Sequence, residues 1–168
     1  MFSTTDTIVA IATPRGRGAL GMVRLTGRDS IRIAGVLTDR AHVFVSRYAT
    51  LCRVRGIDEV VVTVFRSPAS FTGEDIVEIT AHGSPVVLDA IVSGAVNHGA
   101  RLARPGEFTL RAVLNGRRDL VQAEAVADLI DAQTDLQART AFDQLEGTLT
   151  ARIKGIEQGL FALQARLE

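Results

Sequence analysis

Phe71-Thr-Gly-Glu-Asp-Ile-Val-Glu-Ile-Thr-Ala-His-Gly83 is the stretch on which the reading of this chain turns. It opens as a polar loop, Thr72 to Asp75, and runs directly into an alternating segment. In an extended strand, successive side chains point to opposite faces. Val77, Ile79 and Ala81 therefore share one face, and Ile76, Glu78 and Thr80 share the other. This plants a carboxylate in mid-strand on a half-apolar face. An ionised carboxylate only accepts hydrogen bonds, and its two oxygens match a planar fork of N–H donors. Arginine carries such a fork, and so does the amino-pyrimidinone edge of a pterin or guanine. Taken alone, a strand-face acid is more often solvated or paired with a surface arginine.

Working outward, Thr7 to Ala12 reads as a short buried strand and Gly21 to Thr26 as a second. The intervening Gly16-x-Gly18-x-x-Gly21 matches the spacing of a dinucleotide fingerprint. That motif needs a helix after its glycines, and here a β pattern follows, so the glycines are read as a tight connection. Arg24 shares its strand face with Met22 and Thr26. Thr26, with Asp29 three residues on, reads as the cap of a helix that turns Ile31, Ala34 and Val36-Leu37 inward. Arg47 to Val54 and Glu59 to Phe65 read as strands joined by a hairpin-type link. Ser84-Pro85 is a helix start, and Gly99 lies just past that helix's end. A short strand at 101–103 and a helix from Glu107 to Leu114 follow, closed by Asn115-Gly116. Strands and helices alternate without a regular βαβ rhythm, which predicts an α+β domain with a mixed sheet and packed helices.

From Asp119 the pattern changes. Asp119 with Gln122 forms a capping box, and the remainder reads as long helices broken near Gly147. Leu149, Ile153, Ile156, Leu160, Leu163 and Leu167 recur at spacings of four and three, a heptad-like seam that needs a helical partner. Charge divides at the same point. Residues 1–118 hold 15 arginines against 10 acids, and residues 119–168 hold 4 basic residues against 9 acids, within a net charge of zero. Two parts, 1–118 and 119–168, are expected to face different partners.

With 168 residues, 46% hydrophobic and 23% charged, the composition is that of an ordinary globular chain. No apolar run reaches the length of a membrane span, and no secretory signal pattern opens the chain. The single cysteine, Cys52, excludes an internal disulfide, reads as a core residue and fits a cytoplasmic location. Three scattered histidines provide no metal-ligand spacing. No nucleophile–base pair is visible either.

Ser70-Phe-Thr-Gly-Glu-Asp75 leading to His82-Gly83 resembles a signature of the MnmE (TrmE) family of tRNA-modification GTPases. The resemblance extends, in family order, through Asp6-Thr-Ile-Val-Ala10 with Gly16-Arg-Gly18, Ala103-Arg-Pro-Gly-Glu-Phe108, Leu114-Asn-Gly116 and Asp119-Leu-Val-Gln-Ala-Glu-Ala125. It implies a tetrahydrofolate-binding and dimerisation domain over 1–118, similar in fold to that of the glycine-cleavage T-protein. Residues 119–168 would then be the first helices of a helical-bundle domain. It also implies a flavin-dependent MnmG-family partner, with which the full-length family installs a carboxymethylaminomethyl-type group at C5 of the tRNA wobble uridine.

The implied cofactor is a reduced folate, 5-formyltetrahydrofolate or 5,10-methylenetetrahydrofolate, as one-carbon donor. Three positions match the family's folate contacts: Glu78 for the pterin's N–H fork, Arg24 for the ligand's polar or anionic parts, and Arg117 where members commonly carry lysine. Arginine keeps that charge, but a planar fork is not a point charge. GTP, Mg and K would belong to the family's GTPase domain, and no Gly-x4-Gly-Lys-Ser/Thr loop occurs in these residues. The family's C-terminal Cys-x-Gly-Lys is missing as well. The expectation is a piece that binds and assembles as a homodimer rather than a complete enzyme. The contrasting expectation is a structural dimerisation or tRNA-docking module whose folate site is vestigial.

Overall fold

The computed structural model describes residues 5–38 and 44–165, and the chain divides into two units, Met1–Asn115 and Gly116–Glu168. The first unit is α+β. Its strands are β1 (Ile8–Ile11), β2 (Gly18–Thr26), β3 (Thr50–Val54), β4 (Asp58–Phe65), β5 (Ile76–Gly83) and β6 (Arg101–Leu102). They form one sheet in the order β3-β4-β5-β2-β1-β6, antiparallel throughout except for the parallel β1–β6 pair. Its helices are α1 (Ser30–Leu37), α2 (Pro85–Asn97) and α3 (Glu107–Leu114).

The alternation in β5 decides which side of the sheet becomes the core. Val77 and Ile79 lie beside Leu25 and Val23 of β2, and beside Val64 and Val62 of β4; all six are fully buried. Ile33 and Ala34 of α1, with Leu88, Ile91 and Ala95 of α2, close over this face. Each such aliphatic side chain removed from water contributes about 1.5–3 kcal/mol. Helix α2 lies so close that a Cβ on Gly21 would stand 2.5 Å from Leu88 Cδ1, so the glycine makes room for a helix packed over the strand. The expected tight connection is corrected: β2 begins at Gly18, so Gly18 and Gly21 lie inside the strand and only Gly16 precedes it.

The opposite face reads in rows set by the strand register. Leu51, Val61, Thr80 and Met22 form one row; Thr63, Glu78, Arg24 and Ala10 the next; Phe65, Ile76, Thr26 and Ile8 the third. The third row is largely covered, with Ile76, Thr26 and Ile8 at most 2% exposed. The first is open, with Leu51 62% and Val61 36% exposed.

Several local expectations are corrected. Thr26 does not cap α1: the helix begins at Ser30 after Asp29, and the Thr26 hydroxyl is engaged by Thr72 and Glu74. Val36, expected inward, is 47% exposed, whereas Ile33 and Ala34 are fully buried. The strand expected from Arg47 starts only at Thr50, because Arg47 takes a positive φ of 63° and donates its N–H to Val64 O. Cys52 lies buried in β3, as read.

The second unit contains three helices among the described residues, α4 (Leu120–Asp131), α5 (Asp135–Leu145) and α6 (Thr148–Gln164). The Asp119–Gln122 capping box is present, and Gly147, at φ 88°, separates α5 from α6. The expected pair of long helices is corrected to three. Ala132 turns extended, and Thr134 starts a second capping box with Gln137. Leu149, Ile153, Ile156, Leu160 and Leu163 of the seam are 38–65% exposed, and Leu167 lies outside the described residues. No helix of the described residues is long and apolar enough to cross a membrane.

Candidate functional site

Arg24 and Glu78 are direct register partners on β2 and β5, near the middle of the sheet and on the face opposite α1 and α2. Arg24 donates from Nε at 3.0 Å and Nη2 at 2.6 Å, both to Glu78 Oε1. The two side chains keep 30% and 19% exposure. Because one oxygen takes both bonds, Oε2 of Glu78 accepts and Nη1 of Arg24 donates no hydrogen bond among the described residues. A carboxylate offers about four lone-pair sites, so Glu78 keeps spare acceptor capacity and Arg24 an unused donor.

The loop preceding β5 is fixed by a buried polar network. Thr26 Oγ1 donates to Glu74 Oε2 at 2.9 Å and shares a 2.7 Å bond with Thr72 Oγ1. Arg111 of α3, 1% exposed, donates to both oxygens of Glu74 at 3.2–3.3 Å and to Asp6 Oδ1 at 2.6 Å. Arg101 donates to Asp6 Oδ2 at 2.7 Å and, bidentately, to Glu107 at 2.6 and 3.1 Å. Asn115 Nδ2 donates to Thr72 O at 2.7 Å. Buried charges persist when paired and hydrogen-bonded in this way. The Arg101 guanidinium, helped by the Arg104 N–H and opposed by burial, holds Glu107 down at about 2. Asp6 is lowered by its bond to Arg101, against desolvation, and further by Arg111.

Beside this network lies an open cleft of about 460 Å³, lined among others by Asp6, Gly27, Arg28, Glu74, Asp75 and Asn115. Arg24 and Glu78 do not line it. Arg117, the third expected contact, belongs to the second unit and is exposed. At the far end of β5, His82 Nδ1 lies 2.8 Å from Asp58 Oδ1, with the ring exposed. Among the described residues no group of three His, Cys, Asp or Glu side chains is placed to hold a metal ion.

Sequence reasoning named Arg24 and Glu78 as candidates but did not identify Thr26, Glu74, Arg101, Glu107 and Arg111 as one network. One local signal existed, since Glu107 and Arg111 are spaced i,i+4 on a helix. Asp6, 105 residues from Arg111, could not be linked to it by spacing.

Residues 7–117 match the family described as GTP-binding protein TrmE N-terminus, and residues 120–168 match the MnmE helical domain. The chain is 46% identical over 169 residues to the tRNA modification GTPase MnmE of Francisella tularensis subsp. holarctica (strain FTNF002-00 / FTA). That alignment covers 98% of this chain and 37% of the relative. Identity is likewise 46% to the protein of the same description from F. tularensis subsp. novicida, and 45% to that from F. philomiragia subsp. philomiragia. The chain spans about 37% of the length of these curated relatives.

Proposed function

The chain belongs to the MnmE (TrmE) family, and we propose that residues 1–118 are its reduced-folate-binding and dimerisation domain, followed in 119–168 by the first helices of its helical domain. The whole protein then acts in tRNA modification as a GTPase. With a flavin-dependent partner it attaches a carboxymethylaminomethyl-type group at C5 of the wobble uridine, using the folate as one-carbon donor.

The observation that supports this reading is the one-sided Arg24–Glu78 pair. Glu78 Oε2 is available to the pterin's 2-amino and ring N–H donors, and Arg24 Nη1 to its carbonyl. Partial burial strengthens such charge-assisted bonds relative to a fully solvated surface. For Arg117 the family resemblance alone proposes a ligand contact.

A second reading rests on the same pair. Arg24 and Glu78 satisfy one another across neighbouring strands, as they would in a purely structural dimerisation or tRNA-docking module. Thermal unfolding with and without 5-formyltetrahydrofolate or 5,10-methylenetetrahydrofolate separates the two. A ligand held only by the folded state at a hundred times its Kd adds about 2.7 kcal/mol. A rise in Tm that disappears in Glu78→Ala supports the folate site. An unchanged Tm in a protein shown by ultracentrifugation to be dimeric leaves the structural module.

A further inference from the structure

We propose that the α4 capping box doubles as a latch on a hinge at Gly147, so that the start of the second unit and the direction of α6 form one coupled conformational device. Each of the two capping residues uses only half of its side chain on α4. Asp119 Oδ1 accepts the Gln122 N–H at 2.9 Å, and Oδ2 accepts the Thr150 hydroxyl of α6 at 2.7 Å. Gln122 Oε1 accepts the Asp119 N–H at 3.1 Å, and Nε2 donates at 3.0 Å to the carbonyl of Leu145, the last residue of α5. Two side chains thus hold the start of α4, the end of α5 and the start of α6.

The remote bonds fall where helix ends need them. The last four carbonyls of a helix lack intrahelical donors, and Gln122 supplies one to Leu145. Helix α6 starts from Gly147, which has no side chain to cap it. The Asp119 carboxylate, bonded to Thr150 in the first turn of α6, supplies the negative charge that a helix N-terminus favours. One carboxylate therefore serves the N-termini of both α4 and α6. It is held below its ordinary 3.8 by the Gln122 N–H, against burial, and further by the Thr150 hydroxyl. Between the two remote bonds lies Gly147, left-handed at φ 88°, and a Cβ there would stand 3.3 Å from Gln122 Nε2. A residue of this kind can absorb a change of chain direction. Every α6 residue from Ala151 to Gln164 is exposed. Among the described residues, polar bonds at the first turn rather than buried packing fix where α6 points. Distortion of segment 116–119 releases α6, and displacement of α6 loosens the α4 cap through the same coupling.

The test places spin labels at Glu124→Cys and Gln158→Cys, both exposed positions, in the full chain carrying Cys52→Ala. Their separation is read by double electron–electron resonance, and amide exchange at Gln122 is followed by NMR. Thr150→Val removes the hydroxyl from a half-buried site at nearly constant volume and leaves the Asp119–Gln122 bonds in place; Thr150→Ser keeps the hydroxyl. The expected result is one narrow distance in the parent and in Thr150→Ser, and a broadened distribution in Thr150→Val. Exchange at Gln122 should be about tenfold faster in Thr150→Val alone, the effect of losing one bond to a charged group. An unchanged distance in Thr150→Val overturns the proposal, because packing then directs α6. Broadening without faster exchange at Gln122 also overturns it, because the hinge and the cap are then independent. A Thr150→Ser chain that behaves like Thr150→Val does the same, since the hydroxyl bond is then not the latch.

Discussion

Arg111 Nη2 lies 2.6 Å from Asp6 Oδ1, joining α3 to the segment before β1 across 105 residues of sequence, with the arginine side chain 2% exposed. The same guanidinium reaches Glu74 and Glu107 of its own helix, so three chain segments are pinned by one buried cation and its partners. Removing one member of a buried charged network leaves its partners uncompensated, which costs about 3–5 kcal/mol. Arg111→Ala is therefore expected to lower unfolding stability by that order in urea denaturation. Arg53→Ala, which breaks an ion pair whose side chains are 82% and 49% exposed, is expected to change it by less than about 1 kcal/mol. Similar effects for the two variants would contradict the weight placed on the network.

Glu107 provides the acid limit. Its carboxyl is held at about 2 in the folded chain against an ordinary 4.5, first by the Arg101 bonds, and Asp6 is lowered from 3.8 by the same arginine. A depressed folded value means the unfolded state binds the proton first. The stabilisation is complete above about pH 4.5 and is lost as pH falls toward 2. For Glu107 it amounts to about 3 kcal/mol. Urea midpoints measured from pH 6 down to pH 2 should fall steeply below pH 4.5 in the parent and less steeply in Glu107→Gln. Parallel profiles would remove Glu107 as the source.

Glycine substitutions separate backbone strain from close approach. Gly27 has φ 123°, and an added Cβ would stand 2.8 Å from Asp6 O and Thr7 Cα, both backbone atoms. Gly56, at φ 69° in the β3–β4 turn, has open space around it. Gly56→Ala should cost about 1–2 kcal/mol, the left-handed penalty alone. Gly27→Ala should cost more, since φ strain and a clash with fixed atoms add. Equal Tm losses in the two variants would contradict this account.

How much of this was legible in the sequence depended on the reach of each interaction. The β5 alternation, the Ser84-Pro85 helix start and the helix from Glu107 to Leu114 appear where local pattern placed them, because their signals are complete within a few residues. Asp119–Gln122 was legible for the same reason. Thr134–Gln137 carries the same capping signature, and the sequence reading, which breaks the helices only near Gly147, does not use it. Thr26 was misread because a threonine three residues before an acid fits a cap equally well. Only the tertiary fold brings Thr72 and Glu74 to its hydroxyl. Glu78 could be singled out by residue type and strand face, and Arg24 only through the family resemblance. That they meet through a single carboxylate oxygen is a matter of register between β2 and β5, which composition and spacing do not encode.

The most direct test of the central claim is the affinity of 5-formyltetrahydrofolate for the parent chain and for Glu78→Ala, by calorimetry at pH 7 on samples of matched oligomeric state. The account predicts saturable binding by the parent and a loss of at least about tenfold in a variant whose far-ultraviolet circular dichroism is unchanged. Equal affinity in the two, or no binding by a folded dimeric parent, would contradict it.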